Sequence, residues 1–286
     1  MIRLFEQELA EISGYIKERF GVNLTSKSTL IESRLGCYIM GKGFKSYGEY
    51  FDYAKSDPSG EEMTNLINRI TTNHTFFMRE NDHFEIFTKS VLPWIESLPD
   101  GNDMRVWSAG CATGEEPYGL SIYILEYMAA QNRAKTMTQN RFGIHMPGSV
   151  DTTILASDIS ERALAAASEG VYFRENLSAM PQDWISKYFI GVEGEAYRVA
   201  PELRANVAFK KINLLDPIKA SKPYHAVFCR NVMIYFDADT RVSLIDRLYH
   251  AMAPGAYLFI GHSESLANCN HRFKYLQPSV YRKPFL

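Results

Sequence analysis

The sequence has few cysteines and no long uncharged apolar run, and each of these absences argues against a class of protein. Four cysteines occur among 286 residues, without CxxC spacing, so neither a disulfide framework nor a zinc site is indicated. No uncharged apolar run approaches the roughly 20 residues that a membrane span requires. The beginning, MIRLFEQELAEI, is charged and lacks the apolar core of a secretion signal. We therefore expect a cytoplasmic protein with reduced thiols and no direct membrane insertion.

The sequence also has no excess of positive charge. The formal net charge is −2 and the pI is about 6.4, so no overall basic field favours a nucleic-acid partner. No internal repeat or low-complexity tract is visible. What is present, 46% hydrophobic and 22% charged residues, is typical of an ordinary globular protein of one large or two modest domains.

The first part of the chain has a helical pattern. Apolar residues recur at steps of three and four from Phe5 to Phe20, and Gly21 marks the end of that helix. Similar stripes predict three more helices, one of them capped by Ser46. We expect an all-helical N-terminal domain over residues 1–75, then a linker over 76–103 with one helix at 83–98.

From Met104 onward, short apolar runs alternate with helical stretches, which is typical of βαβ units. We predict an α/β fold, a Rossmann-like domain over 104–286 with a mostly parallel sheet. An aromatic-rich interruption at 171–205 predicts a small inserted β subdomain, and the end of the chain predicts an antiparallel hairpin. The predicted strands are 104–109, 152–158, 206–213, 225–231 and 256–262, and the predicted helices are 115–132, 160–169 and 239–252, the last ending at the Pro254-Gly255 turn.

A glycine turn follows the first of these strands. Ala109 and Gly110 lead into CATG, and Glu115 opens a helix whose acidic first turn suits the helix dipole. The turn has no GK[ST], and carboxylates repel phosphates, so a nucleotide phosphate is disfavoured. S-adenosylmethionine, with a free amino group and hydroxyls, fits better. A plain strand–turn–helix without a ligand remains the alternative.

Two more polar groups follow predicted strands. Asp158 ends the second strand, where α/β folds hold a ribose, although it lies 48 residues after Gly110 and a dinucleotide fingerprint needs about 20. A helix cap formed by Asp158 or Ser160 is the alternative reading. After the fourth strand, Asn231 has the chemistry to bind an adenine or amino-acid edge. The ring of Tyr235 suits a sulfonium, unless it is simply a core aromatic.

The linker motif TTNHTFFMRE (71–80) joins the two regions. One interpretation is an interdomain buttress. The other places Asn73, Thr75 and Arg79 over the cofactor pocket, with Arg79 facing a substrate carboxylate, because its planar fork binds carboxylates bidentately.

With these motifs in order, the chain resembles the chemotaxis receptor methyltransferases, the CheR family, over nearly its whole length. The motifs are TTNHTFFMRE, VWSAGCATGEEPYGL, ASDIS, INLLD, FCRNVMIYFD and GHSES. The resemblance implies methyl transfer from S-adenosylmethionine to receptor glutamates, releasing S-adenosylhomocysteine, by an enzyme that we expect to be monomeric. It implies Tyr235 beside the methyl group, Arg79 and Tyr235 as catalytic residues, and no metal. The implied cofactor contacts are Asn73, Thr75, Arg79, Ala109, Gly110, Glu115, Asp158, Asn213, Leu214, Arg230, Asn231 and Tyr235.

One segment departs from the family pattern. Family members that dock on a receptor's C-terminal pentapeptide have a longer, glycine-richer hairpin in the β subdomain, whereas the segment 189–197 is about three residues shorter here. We expect no pentapeptide tether, and direct recognition of the methylation helices through Lys27, Arg34, Lys42 and Lys45.

Other functions stay open on the residues alone. They are a methyltransferase for another acceptor, a nicotinamide dehydrogenase, which the missing GxGxxG disfavours, and a signalling module that binds S-adenosylmethionine without transferring its methyl group.

Overall fold

The computed structural model describes residues 2–70, 75–99, 103–131, 137–139, 145–147, 151–267 and 269–285. Two compact units are present. The first comprises Met1–Asn73 with Tyr235–Arg241, and the second comprises His74–Ile234 with Val242–Leu286. Within the described ranges, no helix has both the length and the apolar character needed to cross a membrane.

The first unit is helical. Its helices are α1 (Glu6–Phe20), α2 (Ser28–Gly41), α3 (Tyr47–Ser56) and α4 (Glu61–Ile70). Gly21 ends α1 in the left-handed conformation (φ 73°), and the Ser46 hydroxyl caps α3 by accepting from the Glu49 N–H, as the sequence predicted. The apolar stripes meet in one buried cluster. The segment Tyr235–Arg241 joins this unit, with an antiparallel bridge between Val22 and Phe236.

A helical stretch opens the second unit. It consists of α5 (Asn81–Ile86), a π-helical turn (Phe87–Val91) and α6 (Leu92–Glu96). The sequence predicted one helix at 83–98, and the structure adds a π-helical turn inside it. The π turn directly precedes the segment with Pro93, which has no N–H to donate to a regular helical ladder.

The other strands and helices follow in chain order. The strands are β1 (Val106–Ala109), β2 (Met137–Gln139), β3 (His145–Pro147), β4 (Ile154–Asp158), β5 (Val171–Phe173), β6 (Phe189–Val192), β7 (Ala196–Val199), β8 (Val207–Lys211), β9 (Tyr224–Cys229), β10 (Met252–Ile260), β11 (Lys274–Gln277) and β12 (Val280–Arg282). The helices are α7 (Glu115–Ala130), α8 (Glu161–Glu169), α9 (Gln182–Tyr188), α10 (Pro201–Ala205) and α11 (Ala238–Ala251).

The central sheet has seven strands in the order β11-β12-β10-β9-β1-β4-β8. The five strands from β10 to β8 pair in parallel, and β12 and β11 add an antiparallel hairpin at one edge. Strands β1 and β9 are buried along their whole length, as expected for a parallel sheet covered on both faces. The predicted fold class is confirmed, including the terminal hairpin.

Chain order reverses at β1, because β4 pairs with it on one side and β9 on the other. Open α/β sheets bind ligands in the crevice at such a switch point, outside the carboxyl ends of the strands. The carboxyl ends of β8, β4, β1, β9 and β10 all lie along this one edge. The fold therefore assembles Asn213, Asp158, Gly110, Asn231 and Gly261 in that spatial order.

Two segments differ from the sequence expectation in detail. The Pro254-Gly255 pair was predicted as a turn between a helix and a strand. It lies inside β10, where the register to β9 shifts between Met252 and Tyr257. The stretch 133–151, for which the sequence analysis predicted no strand, contains the short hairpin β2–β3, and its other residues up to 150 lie outside the described residues.

The segment 171–205 contains a separate antiparallel sheet in the order β5-β7-β6, together with α9 and α10. Because β7 is central, β6 is an edge strand. A three-residue turn of exposed residues, Glu193, Gly194 and Glu195, joins β6 to β7.

Candidate functional site

The turn after β1 is built so that only glycine fits at its first position. Gly110 has φ +88°, and a Cβ there would lie 2.4 Å from Cγ2 of Val232. The N–H groups of Gly110 and Cys111 both donate to the Ser157 carbonyl, at 2.8 and 2.9 Å. The turn is thus fastened to the end of β4 and leaves its backbone close to the carboxyl edge of the sheet.

Two glutamates begin α7. Glu115 is 2% exposed, and its carboxylate accepts a hydrogen bond from the Thr113 hydroxyl at 2.7 Å. Glu116 accepts from the Ser108 hydroxyl at 2.6 Å. Burial raises the pKa of both carboxyls. Removing these carboxylates from water is costly, so a positively charged partner at this edge would be favourable.

Asp158 ties β4 to the glycine turn. One carboxylate oxygen accepts from the Ala112 N–H and the other from the Ser160 N–H, both at 2.9 Å. Burial raises the pKa of this carboxyl. The cap of α8 is the Ser160 hydroxyl, which accepts from the Ala163 N–H at 3.0 Å. Of the two alternative caps, the structure therefore assigns Ser160, and the Asp158 carboxylate faces the turn.

A buried charge network connects three segments through Arg230, whose side chain is 3% exposed. Its Nη1 donates to Glu116 at 2.9 Å, and its Nε and Nη2 donate to one oxygen of Glu80 at 3.2 and 3.0 Å. Its Nη2 also donates to the Arg79 carbonyl. Burial is the largest influence on the pKa of Glu80 and would raise it, but the Arg230 guanidinium and His262 together outweigh burial, and the pKa is lowered.

The family resemblance implies that Arg230 contacts the cofactor, and that contact stays a prediction. In the structure, the guanidinium of Arg230 donates to two carboxylates and a backbone carbonyl. Sequence reasoning did not identify Glu80 or Glu116 as site residues. Their only local signals were the Arg79-Glu80 pair and the doubled acid at the start of a helix.

The linker is anchored by an aromatic side chain. Phe77 is fully buried, and its ring lies edge-on to Tyr172 and Phe189, at centroid distances of 4.9 and 5.4 Å. Thr75 and Arg79 are half-buried. Asn73 lies outside the described residues. The structural role of the linker therefore rests on Phe77, three residues before Glu80. Arg79 is a different residue of the same linker, so this role is compatible with a function of Arg79 in the site.

The remaining predicted residues are spread over both units. Asn213 is half-buried after β8, where its side-chain oxygen accepts from the Leu215 N–H at 3.0 Å, and Leu214 is buried. Tyr235 belongs to the helical unit, where its carbonyl accepts from the Asn23 N–H at 2.7 Å. The ammonium of Lys27 lies 5.5 Å from the centroid of the Tyr235 ring. A cation already lies beside the ring that the sequence analysis assigned to a sulfonium.

Glu80, His83 and His262 place possible metal-ligand atoms within 4.8 Å of one another. The Glu80 carboxylate already accepts from Arg230 and from the His262 N–H at 3.2 Å. The positive charge of the Arg230 guanidinium opposes the binding of a second cation there. These residues therefore belong to the charge network around Arg230.

Comparisons with known proteins agree over nearly the whole chain. Residues 73–282 match the family described as "CheR methyltransferase, SAM binding domain", and residues 7–71 match "CheR methyltransferase, all-alpha domain". The chain is 35% identical to the chemotaxis protein methyltransferase of Borreliella burgdorferi, covering 99% of this chain and 96% of that protein. It is 34% identical to that of Klebsiella aerogenes (97% and 90% covered) and 32% identical to chemotaxis protein methyltransferase 1 of Pseudomonas aeruginosa (94% and 94%).

Proposed function

Because this chain belongs to the CheR methyltransferase family, we propose that it methylates glutamate side chains in the cytoplasmic helical region of chemotaxis receptors. The matched domain binds S-adenosylmethionine, which supplies the methyl group. We propose that the enzyme acts as a monomer in the cytoplasm, with residues 1–75 facing the receptor and 104–286 carrying out the transfer.

The observation that carries the proposal is the excess of acid at the carboxyl edge of the sheet. Arg230 is the only arginine or lysine among the buried side chains of the described residues. It pairs with Glu80 and Glu116, and three further carboxylates that are buried or half-buried lie at or after the carboxyl ends of β1, β4 and β10, namely Glu115, Asp158 and Glu264. S-adenosylmethionine carries a sulfonium and an ammonium, so this edge favours it over a dinucleotide with its phosphates.

We propose the following contacts with the cofactor. The carboxylates of Asp158 and Glu115 accept from hydroxyl and amino groups, and the backbone of Ala109 and Gly110 lies against the ligand. Further contacts come from Asn73, Thr75, Asn213, Leu214 and Asn231, and Arg230 contributes through its backbone or by holding its neighbours. Arg79 and Tyr235 act at the reacting groups.

The reaction needs no general base, because a glutamate with a pKa near 4.3 is already a carboxylate at neutral pH. One carboxylate oxygen forms a bond to the methyl carbon while the bond from that carbon to sulfur breaks. The products are a neutral ester and a neutral thioether, and no proton moves. The protein therefore contributes alignment and partial desolvation. Arg79 orients the substrate carboxylate without a tight ion pair, since such a pair would weaken its attack.

The test is transfer of tritium from methyl-labelled S-adenosylmethionine into receptor-containing membranes, read as methanol released by base. We expect base-labile label with the wild-type enzyme and a large loss of turnover with Arg79→Ala. Arg272→Ala, at an exposed arginine paired with Asp246, is the control that should keep wild-type turnover. Base-stable label would indicate another acceptor. Binding of S-adenosylmethionine without transfer of its methyl group would indicate a signalling module.

For receptor docking, we propose that the enzyme does not use a C-terminal pentapeptide. Peptide capture by strand addition needs an open sheet edge and a turn that leaves it accessible. The edge strand β6 is four residues long, and the turn after it carries Glu193 and Glu195. These two carboxylates repel the terminal carboxylate of such a peptide. Fluorescence anisotropy with a labelled pentapeptide should show no binding, and micromolar affinity would contradict this proposal.

Instead, we propose that Lys27, Arg34, Lys42 and Lys45 face an acidic methylation helix. Lys42 pairs with Glu62, and Arg34 donates to the Ile70 carbonyl at 2.7 Å, so reversing either charge also disturbs the fold. Lys45 is exposed and gives the cleaner variant. Lys45→Glu should slow methylation of a receptor truncated before its tail, most strongly at low salt. Lys274→Glu, at an exposed lysine on β11, is the control, and equal effects of the two variants would argue against this surface.

A further inference from the structure

The carboxylate of Glu264, four residues after β10, accepts hydrogen bonds from backbone N–H groups, two of which lie in the segment that follows β9. One carboxylate oxygen accepts from the N–H groups of Gly261 and Asn231, at 2.6 and 2.9 Å. The other accepts from the Ile234 N–H at 3.1 Å. The residue is 9% exposed. Buried carboxylates are costly unless several donors satisfy them, and these backbone donors do so.

The segment held in this way contains an unusual backbone conformation. Asn231 has φ +58°, in the left-handed region that residues with a Cβ rarely adopt, although asparagine tolerates it better than most. Its N–H points at Glu264, and its side-chain amide donates to the other oxygen of Glu80 at 3.4 Å. The conformation of Asn231 is therefore fixed from two sides by carboxylates.

A close approach on a third side restricts the same side chain. A Cβ on Gly261 would lie 2.3 Å from Nδ2 of Asn231 and 2.9 Å from its backbone nitrogen, so Asn231 occupies the space that a side chain at position 261 would need. Gly261 itself donates to Glu264. The carboxylate, the glycine and the left-handed asparagine thus form one arrangement at the carboxyl ends of β9 and β10.

We propose that Glu264 is a positioning residue of the cofactor site, which sets the backbone of Asn231 so that the Asn231 side chain meets S-adenosylmethionine. This inference rests on the proposed function, in which Asn231 is a cofactor contact. Glu264 itself touches no ligand. Its substitution acts on cofactor affinity only through Asn231, which separates this role from a general contribution to stability.

The experiment is a double-mutant cycle on the affinity for S-adenosylhomocysteine, measured by calorimetry on the full chain. Glu264→Gln keeps the size but places an amide where the carboxylate accepts backbone N–H groups. We expect it to weaken binding about tenfold, the loss of roughly one hydrogen-bonded contact. In the Asn231→Ala background, the same change should weaken binding by less than about twofold, because the contact is already absent. Equal factors in the two backgrounds would overturn the proposal, as would an unchanged affinity of Glu264→Gln.

Two further variants keep the test decisive. If Glu264→Gln does not fold, Gly261→Ala displaces the Asn231 amide without changing the carboxylate. It should weaken binding by a larger factor in the wild-type background than in Asn231→Ala, where only the close approach to the backbone nitrogen remains. Equal factors in the two backgrounds count against the proposal. Glu126→Gln is the control, since that carboxylate accepts from Lys187 and Tyr188. Failure of the wild-type chain to bind S-adenosylhomocysteine would instead refute the proposed function.

Discussion

Asp158 combines a structural contact with a proposed cofactor contact. Its two oxygens accept from the Ala112 and Ser160 N–H groups, which leaves each oxygen capacity for a further donor such as a ribose hydroxyl. Asp158→Ala should weaken binding of S-adenosylhomocysteine roughly 30- to 150-fold, a loss of about 2–3 kcal/mol, because a hydrogen bond to a charged group contributes about 1.5–3 kcal/mol. Calorimetric titration measures this loss.

Asp151 is the matched control for that variant. It precedes the amino end of β4, at the opposite edge of the sheet, and its carboxylate accepts from the local Thr153 N–H at 2.9 Å. Asp151→Ala should leave the affinity unchanged. If a folded Asp158→Ala protein binds as tightly as wild type, the carboxylate only joins β4 to the glycine turn.

At the scale of elements, the segment formed by β1, the glycine turn and α7 is tightly restricted by backbone geometry. Gly110→Ala would add both a strained φ and a contact of 2.4 Å with Val232. We expect it to lower stability by clearly more than the ~1 kcal/mol that alanine costs at a left-handed glycine position, and to weaken cofactor binding. Thermal melting and calorimetry measure the two effects.

Two variants separate the causes. Gly194 has φ +75° and open space around its Cβ position, so Gly194→Ala should show the conformational cost alone. Val232→Ala removes the clashing methyl group, and in that background Gly110→Ala should cost less than it does in the wild type. A cost as small as that of Gly194→Ala would show that the turn can move.

Some features of these elements could be predicted from the sequence, and others could not. The alternation of apolar runs and helical stripes is a local signal, and it predicted the parallel sheet and the polar ends of its strands. The charge network is not local: Arg230 lies 150 residues from Glu80 and 114 from Glu116 along the chain. No spacing rule connects residues so far apart. Likewise, nothing near Glu264 indicated that it holds Asn231, 33 residues earlier.

At the scale of the whole molecule, the two units can be observed separately. The chain has three tryptophans, Trp94, Trp107 and Trp184, and all of them belong to the unit that contains the sheet. Unfolding followed by tryptophan fluorescence therefore reports on that unit. The unfolding of the other unit does not have to be fitted as part of the same two-state transition. This makes the pH dependence of its stability measurable.

One buried histidine gives that pH dependence a definite sign. His83 is fully buried, and neither ring nitrogen has a hydrogen-bond partner among the described residues. Burial lowers its pKa below the ordinary value of 6.5, and Arg230 and His262 add to this, while Asp82 and Glu80 oppose it. The folded state therefore holds the neutral ring. Below pH 6.5 the unfolded chain takes up a proton that the folded chain does not, so stability falls as the pH falls.

We predict that this unit loses about 2 kcal/mol of unfolding free energy between pH 6.5 and 5 through His83, at about 1.4 kcal/mol per pH unit. Glu80, whose pKa is lowered, contributes a loss only further down, below its ordinary value of 4.5, so the two windows separate. Urea unfolding of His83→Phe should show a flatter dependence over this range, because phenylalanine does not titrate. His250→Gln, at a histidine whose side chain is 65% exposed, should keep the wild-type slope. A wild-type slope in His83→Phe would mean that another group controls the acid sensitivity.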